Sequence, residues 1–191
     1  MGLAIALIHF PVLNRLGRVV NTAITNFDIH DLARAARTYG LERYYIVAPV
    51  ASQRDFVRRV MAHWSEGPGA EMNITRKEAL QLVRLVRDIN EVHDNLAEET
   101  GRTPIFVATS ARPLPNSISY AELRRRIETQ PQNEFCVLFG TGYGLDDAVT
   151  SEVDLMLAPV RGPTDWNHLS VRSAASVILD RLRGNRDDLQ P

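Results

Sequence analysis

The sequence predicts an α/β fold built on one doubly wound, mostly parallel sheet. Three observations carry this. Short apolar runs alternate along the chain with amphipathic segments of helical period. The runs are nearly continuous in apolar residues, as in strands covered on both faces. The later runs end in glycine-rich turns, where open α/β sheets form ligand crevices. The 191 residues predict one domain over 1–183 and a polar tail over 184–191.

The elements follow in order. Leu3 to Phe10 (LAIALIHF) reads as a strand closed by Pro11, with His9 a structural histidine at its C-terminal edge. The polar segment from Asn14 to Asn26, around Gly17, reads as a long loop. A helix starts near Asp28, capped by Asn26 or Asp28 and with Asp31 in its first turn. Gly40 stops it. Ile29, Leu32, Ala33 and Ala36 form its buried stripe, and His30, Arg34 and Arg37 project from another face. Arg43 to Val47, rich in aromatic and β-branched residues, is a strand.

Ser52 is read as the cap of a helix with Phe56, Val57, Val60, Met61 and Trp64 on one side. Arg54, Arg58 and Arg59 lie on the other, a solvated face. Glu66 to Asn73, containing Gly67-Pro68-Gly69, is a loop. Thr75 and Glu78 make a capping-box pattern that opens a long helix reaching about Gly101. Leu80, Val83, Val86, Ile89, His93 and Leu96 recur along it at helical intervals.

Pro104 to Thr109 (PIFVAT) is the next strand. Ser119 and Glu122 form a second capping box, for a helix bearing Arg124, Arg125 and Arg126. Three adjacent arginines cannot share one helix face, so this is solvated surface. Phe135 to Phe139 is a buried strand bounded by Pro131 and Gly140, and Leu155 to Ala158 is the last one. After Pro159, Gly162 and Pro163 a final helix opens near Asn167. Val171, Ala174, Ile178 and Leu182 form one seam on it; Leu169, Ser173 and Val177 form a narrower apolar edge. Two such edges imply contact with the chain's own sheet and with a second subunit.

Composition narrows the classes. Apolar residues make up 45%, normal for a globular core, and the formal net charge is −1, which gives no overall field for polyanions. Of the 22 basic residues only Lys77 is a lysine; arginine suits phosphate and base recognition. Cys136 is the single cysteine, which excludes disulfide frameworks and cysteine zinc sites within the chain and fits a reducing cytoplasm. No run approaches membrane-spanning length, and the N-terminus lacks the basic region of a signal peptide. Ala6 stands where a myristoylation signal requires Ser or Thr.

No P-loop, compact metal motif or G-x-S-x-G elbow is present, and no metal is expected. Gly140-Thr141-Gly142-Tyr143-Gly144 invites a dinucleotide reading, that of a nicotinamide-dependent oxidoreductase. It is G-x-G-x-G rather than G-x-G-x-x-G, comes late in the chain, and has no clear ribose-binding acid about 20 residues on.

Two stretches carry a resemblance to a known family. LFGTGYGL (138–145) resembles the second motif of the SPOUT RNA methyltransferases, and LAPVRGPTDWNHLSVRSAAS (157–176) resembles the third. Their order and spacing fit, and the likeness covers nearly the full length. It is nearest to a small bacterial group related to the C-terminal region of the tRNA (guanine-N(1)-)-methyltransferases. It implies a C-terminal deep trefoil knot that binds S-adenosylmethionine, an RNA substrate such as tRNA or rRNA, and a homodimer through the last helix. The pocket residues it implies are Thr109, Ser110, Leu138, Gly140, Gly142, Leu157, Val160, Gly162, Leu169 and Ser170. The segment from Ile24 resembles the first motif: Arg34 and Gly40 match, and Asp28 stands at the family's Asn. On this likeness Arg34, Asp28 and His30 face the acceptor. Thr141 and Tyr143 occupy a turn where ribose methylases carry Glu, and His168 stands at an Asn position.

Methyl transfer suits a chemically quiet site. Alignment of donor and acceptor supplies much of the rate, with one proton to manage. A non-catalytic RNA-binding or assembly protein on the same scaffold is the other class these residues allow.

Overall fold

A computed structural model of the chain describes residues 2–185. Six parallel strands form the main sheet: β1 (Leu3–Ile8), β4 (Tyr44–Val47), β5 (Val83–Val86), β6 (Thr103–Thr109), β7 (Asn133–Gly140) and β8 (Leu155–Leu157). Their spatial order is β5-β4-β1-β7-β6-β8. The chain winds outward from β1 to β5, then crosses to the other half, and β7 inserts between β1 and β6. This reversal beside β1 opens a crevice at the strands' C-terminal ends.

The alternation of side chains along β1 builds two cores. Leu3, Ile5 and Leu7 join a cluster with α1 (Asn26–Thr38), α2 (Ala51–Ser65), α4 (Ile74–Leu80), α6 (Tyr120–Thr129) and α8 (Val171–Arg183). Ala4, Ala6 and Ile8 join the other, with α5 (Ile89–Thr100) and α7 (Asp147–Thr150). Helices on both faces make the sheet doubly wound, and the near-continuous apolar strands follow from that.

Several boundaries differ from the sequence reading. The long helix expected from Thr75 to Gly101 is three elements: α4, β5 and α5. Apolar residues every third position fit a helix face, but Val83-Arg84-Leu85-Val86 also serves as a strand pairing in register with β4. Asn73, not Thr75, caps α4, and Asp88 caps α5 by accepting from the Glu91 amide. The 66–73 loop contains α3 (Pro68–Met72). Ser52 does not cap α2; the N-cap is Val50, without a side-chain cap bond. The final helix starts at Val171, capped by Ser170, not near Asn167.

The 14–26 loop is not featureless. Val19–Val20 (β3) pairs antiparallel with Val12–Leu13 (β2) as a small hairpin beside the main sheet, and the Phe10–Pro11 peptide before it is cis. The cap of α1 is Thr25, neither Asn26 nor Asp28. Thr25 and Asp28 form a reciprocal capping box, so the acid lies at the third helical position. The tail expected at 184–191 falls outside the described residues from 186 onward. At the opposite end of the sheet, buried Glu134 pairs with Arg102 at 2.8 Å.

Candidate active site

Three loops converge at the C-terminal ends of β6, β7 and β8. Backbone bonds hold them together. The Ile118 amide donates to the Met156 carbonyl at 2.8 Å, and the Ala158 amide donates to the Ile118 carbonyl at 3.0 Å. Asn167 Nδ2 donates to the Ala111 carbonyl at 2.6 Å, and the Tyr120 hydroxyl to the Ala158 carbonyl at 2.8 Å. Together with the β2–β3 hairpin and α8 they enclose a cavity of about 880 Å³.

The turn after β7 forms its floor. A Cβ on Gly140 would stand 2.5 Å from the Leu145 amide nitrogen, so the chain folds back on itself only because no side chain is there. Gly142 has φ +60°, and a Cβ on it would meet the Leu13 carbonyl oxygen at 2.7 Å. Close backbone approach requires glycine at both positions, and at Gly142 the left-handed conformation requires it as well. The hairpin clamps this turn: the Leu13 amide donates to the Gly144 carbonyl and the Tyr143 amide to the Leu13 carbonyl, at 2.9 and 2.8 Å.

A polar line runs beneath the floor. His9 Nδ1 lies 3.1 Å from the Thr22 hydroxyl, which lies 2.5 Å from the Thr141 hydroxyl. Thr141 also donates to the Ile8 carbonyl at 3.0 Å. Burial lowers the His9 pKa to about 4, against the opposing pull of the Asp28 charge and hydrogen bonding at Thr22, so the imidazole is neutral at physiological pH. Its Nε2 is buried without a partner among the described residues.

Of the residues expected in the pocket, Thr109, Ser110, Gly140, Gly142, Val160, Leu169 and Ser170 line this cavity together. Leu138 and Leu157 do not line it; both are buried in the cores. The Leu138 carbonyl contributes by accepting the Thr109 hydroxyl at 2.9 Å. Gly162 is exposed on the loop outside the lining, with open space where a side chain would project.

The three expected catalytic residues are not placed alike. Asp28 is buried and lines the cavity. Its Oδ2 accepts from the Thr25 amide and hydroxyl at 2.9 and 2.7 Å, and its Oδ1 faces Arg172 at 3.6 Å. His30 lies instead against Trp64 of α2, edge to face at 5.7 Å. Burial and the Arg76 charge lower its pKa, opposed by Asp31 and helped by Arg34. Arg34 is exposed one turn further along α1, away from the cavity lining.

Sequence reading missed Thr22, Thr141 and Arg172 as site-building residues. Arg172 ties α8 to α1 through Asp28 and through Asp31 at 3.5 Å. A signal existed: a cation in the first turn of a helix opposes the macrodipole, which implies a carboxylate partner elsewhere. Thr141 sits inside the glycine motif already singled out; Thr22 carried no signal.

The arrangement suits a ligand with an apolar ring and several hydrogen-bonding groups. Val160, Leu169, Ala174 and Ile178 give an apolar wall, and the glycine turn exposes backbone to close approach. S-adenosylmethionine fits this description: a flat adenine, a ribose, and a compact charged end.

Solved structures share the fold. TrmJ from Z. mobilis ZM4 superposes with a TM-score of 0.62 at 17% identity, covering 100% of this chain and 71% of that one. The SpoU methyltransferase AviRb from Streptomyces viridochromogenes, solved with the cofactor AdoMet, gives 0.55 at 15% identity, covering 98% and 58%. The fold is shared with both of these structures. A family model described as SAM-dependent RNA methyltransferase matches residues 2–184, and the chain belongs to that family.

Two relatives are similar at higher identity. An uncharacterized protein of Aquifex aeolicus is 42% identical over 178 residues, covering 93% of this chain and 86% of that protein. A tRNA (guanine-N(1)-)-methyltransferase of Oleidesulfovibrio alaskensis is 39% identical over 180 residues, covering 94% of this chain. The chain spans only 41% of that second relative. The protein is thus a SAM-dependent RNA methyltransferase, as the resemblance of its late motifs implies. No helix among the described residues is long and apolar enough to cross a membrane.

Proposed function

We propose that this chain, as a single catalytic domain over 1–183, methylates a tRNA or rRNA nucleotide with S-adenosylmethionine held in the three-loop cavity. The carrying observation is the turn after β7, which lines the cavity and folds so closely on Leu145 and Leu13 that Gly140 and Gly142 have no room for a side chain. The likeness to a tRNA (guanine-N(1)-)-methyltransferase favours tRNA, with a guanine as the first acceptor to test.

When bound, the cofactor supplies a methyl group already made electrophilic by its sulfonium. Thr109, Ser110 and the Gly140–Gly144 turn offer the hydrogen-bonding groups that orient it, and Val160 and Leu169 cover its ring. Excluding water and fixing the line of attack is the protein's main contribution. Asp28 is the proton acceptor: its carboxylate lines the cavity and is held in place by Thr25 and Arg172. Leu138, Leu157 and Gly162 shape the strands and loop around the cofactor. Arg34, exposed on α1, holds the RNA, and His30, packed on Trp64 one turn before it, positions that face.

The same reading includes a C-terminal trefoil knot. Its support is that the 110–118 loop is bonded to β8 on both sides of Leu157 and to Asn167 beyond, while α8 returns to pack on α1 and α6. Such threading departs from the usual rule for chain connections. Mechanical extension from both termini tests it, because a knotted chain stops short of its contour length.

A homodimer at the start of α8 is supported by exposed Leu169, just before the helix, and by Phe27 of α1, which is 64% exposed beside Arg172 of α8. A monomeric mass for the wild-type chain in light scattering would remove it. The lone buried Cys136 fits a cytoplasmic location.

Calorimetry tests the cofactor assignment. Micromolar S-adenosylhomocysteine binding that is lost in Gly140→Val supports it; binding of NAD in its place, or of neither, overturns it. Mapping RNA modifications lost in a deletion strain then identifies the acceptor.

A further inference from the structure

With a net charge of −1 the molecule as a whole does not attract RNA, so local charge must do so. Most arginines away from the cavity are neutralised. Arg43 pairs with Glu99, Arg102 with Glu134, Arg126 with Glu122, and Arg87 with Glu91. Arg34, Arg59 and Arg161 are exposed without an ion pair but lie outside the cavity lining; Arg15, Arg18 and Arg112 stand on the hairpin tip and the loop after β6, which border it. The latter three are exposed, and none has an ion pair or a side-chain hydrogen bond among the described residues. Arg15 and Arg112 line the same cavity from two separate segments, the hairpin tip and the loop after β6. The exposed carboxylate of Asp147 also borders that cavity but pairs with neither.

The hairpin tip is ordered by its own bonds. Asn14 Oδ1 accepts from the Leu16 and Arg18 amides at 2.8 and 3.0 Å, and Gly17 takes φ +69°. The tip therefore presents Arg15, Leu16 and Arg18 to solvent on a fixed turn, with Leu16 68% exposed. None of these side chains contributes to either core. Through Leu13 the hairpin is bonded directly to the Gly142–Gly144 turn. A pre-ordered, unpaired cationic tip rooted in the cofactor turn is complementary to a polyanion entering that cavity. Arginine there can take phosphate oxygens in two parallel bonds.

We infer that the β2–β3 hairpin is a substrate arm: Arg15 and Arg18, with Arg112 on the loop after β6, grip the RNA backbone beside the acceptor nucleotide. This rests on the RNA methyltransferase reading above. The arm acts on phosphate and positions the strand; it does not read sequence.

The test uses labelled bulk tRNA and fluorescence anisotropy between 50 and 200 mM salt, on the full chain. In the triple variant Arg15→Gln/Arg18→Gln/Arg112→Gln, binding weakens and the slope of log affinity against log salt flattens by about 2, at roughly 0.7–0.9 per lost phosphate contact. The urea midpoint, measured in parallel, stays at the wild-type value and shows the variant is folded. Replacement of the three by lysine restores most of the slope, and Arg87→Gln leaves it unchanged. An unaltered slope in the triple variant overturns the arm while leaving the cofactor assignment intact. Wild-type protein that binds S-adenosylhomocysteine but no tRNA also overturns it. Failure of the cofactor to bind while the slope still responds to the arginines counts against the methyl-donor reading alone.

Discussion

The hydroxyls of Thr22 and Thr141 meet at 2.5 Å, although 119 residues separate them. The contact joins the segment that follows the hairpin to the turn that follows β7. Because His9 and the Ile8 carbonyl flank the pair, three stretches of backbone share one small polar cluster.

Removing a hydroxyl from this cluster should loosen the cofactor turn. Thr141→Val is expected to cost about 1 kcal/mol of stability. It should weaken S-adenosylhomocysteine binding by up to about tenfold, the equivalent of 1.4 kcal/mol. Thr141→Ser keeps the hydroxyl and should restore most of both. Urea titration and calorimetry measure the two effects; equal affinities for all three proteins would separate the cluster from ligand binding.

Gly142→Ala addresses the turn itself. A non-glycine residue at φ +60° costs about 1–2 kcal/mol, and the added Cβ must also displace the Leu13 carbonyl that anchors the hairpin. Loss of stability together with loss of cofactor affinity is expected. Gly162→Ala, where nothing lies within 4 Å, is the control and should leave stability unchanged in the same titration.

The buried neutral His9 makes stability depend on pH. Its native pKa, lowered to about 4 by burial, lies below the 6.5 of an unperturbed histidine. Between those values the unfolded chain binds a proton that the native chain does not. Stability from this group is complete above pH 6.5 and falls as pH drops towards 4, by up to about 1.4 kcal/mol per unit. His9→Gln, which can still bond to Thr22, should flatten the pH 5–6.5 part of the stability curve. A curve identical to wild type in that interval would show that another group is responsible.

Arg34 and Arg172 should separate function from architecture. Arg34→Ala removes an exposed side chain with no ion pair and should keep stability and cofactor affinity while abolishing methyl transfer. Arg172→Met leaves the buried Asp28 carboxylate with Thr25 alone and unties α8 from α1. Its cost should be about 1–2 kcal/mol, visible in urea midpoints. Retained transfer in Arg34→Ala would take that residue out of the site.

What could be read in the chain was whatever its local pattern encodes. Apolar runs located β1, β6, β7 and β8, closed by Pro11 after β1 and by glycine turns after β7 and β8, because burial on both faces and tight turns leave marks within a few residues. The Ser119–Glu122 box and the stripe of Ile29, Leu32, Ala33 and Ala36 were equally local. Where two periods fit the same residues, as at Leu80 to Ile89, only pairing with β4 decided for a strand. The family motifs pointed to seven residues that share the cavity lining, since the glycine turn carries its close backbone approach in its own sequence.

The remainder depended on contacts between distant parts of the chain. Nothing near Thr22 marks Thr141, and nothing near Arg15 marks Arg112; their relation exists only once β7 lies beside β1 and the hairpin is bonded to the glycine turn. His30 and Arg34 share a helix with Asp28, yet the 100° turn per residue and the packing of α2 send them elsewhere. The sequence by itself determined the strands, the glycine turn and the family. The tertiary structure alone decided which polar groups meet at the cavity, because a side chain's partners are set by strand order and helix packing, which no local spacing records.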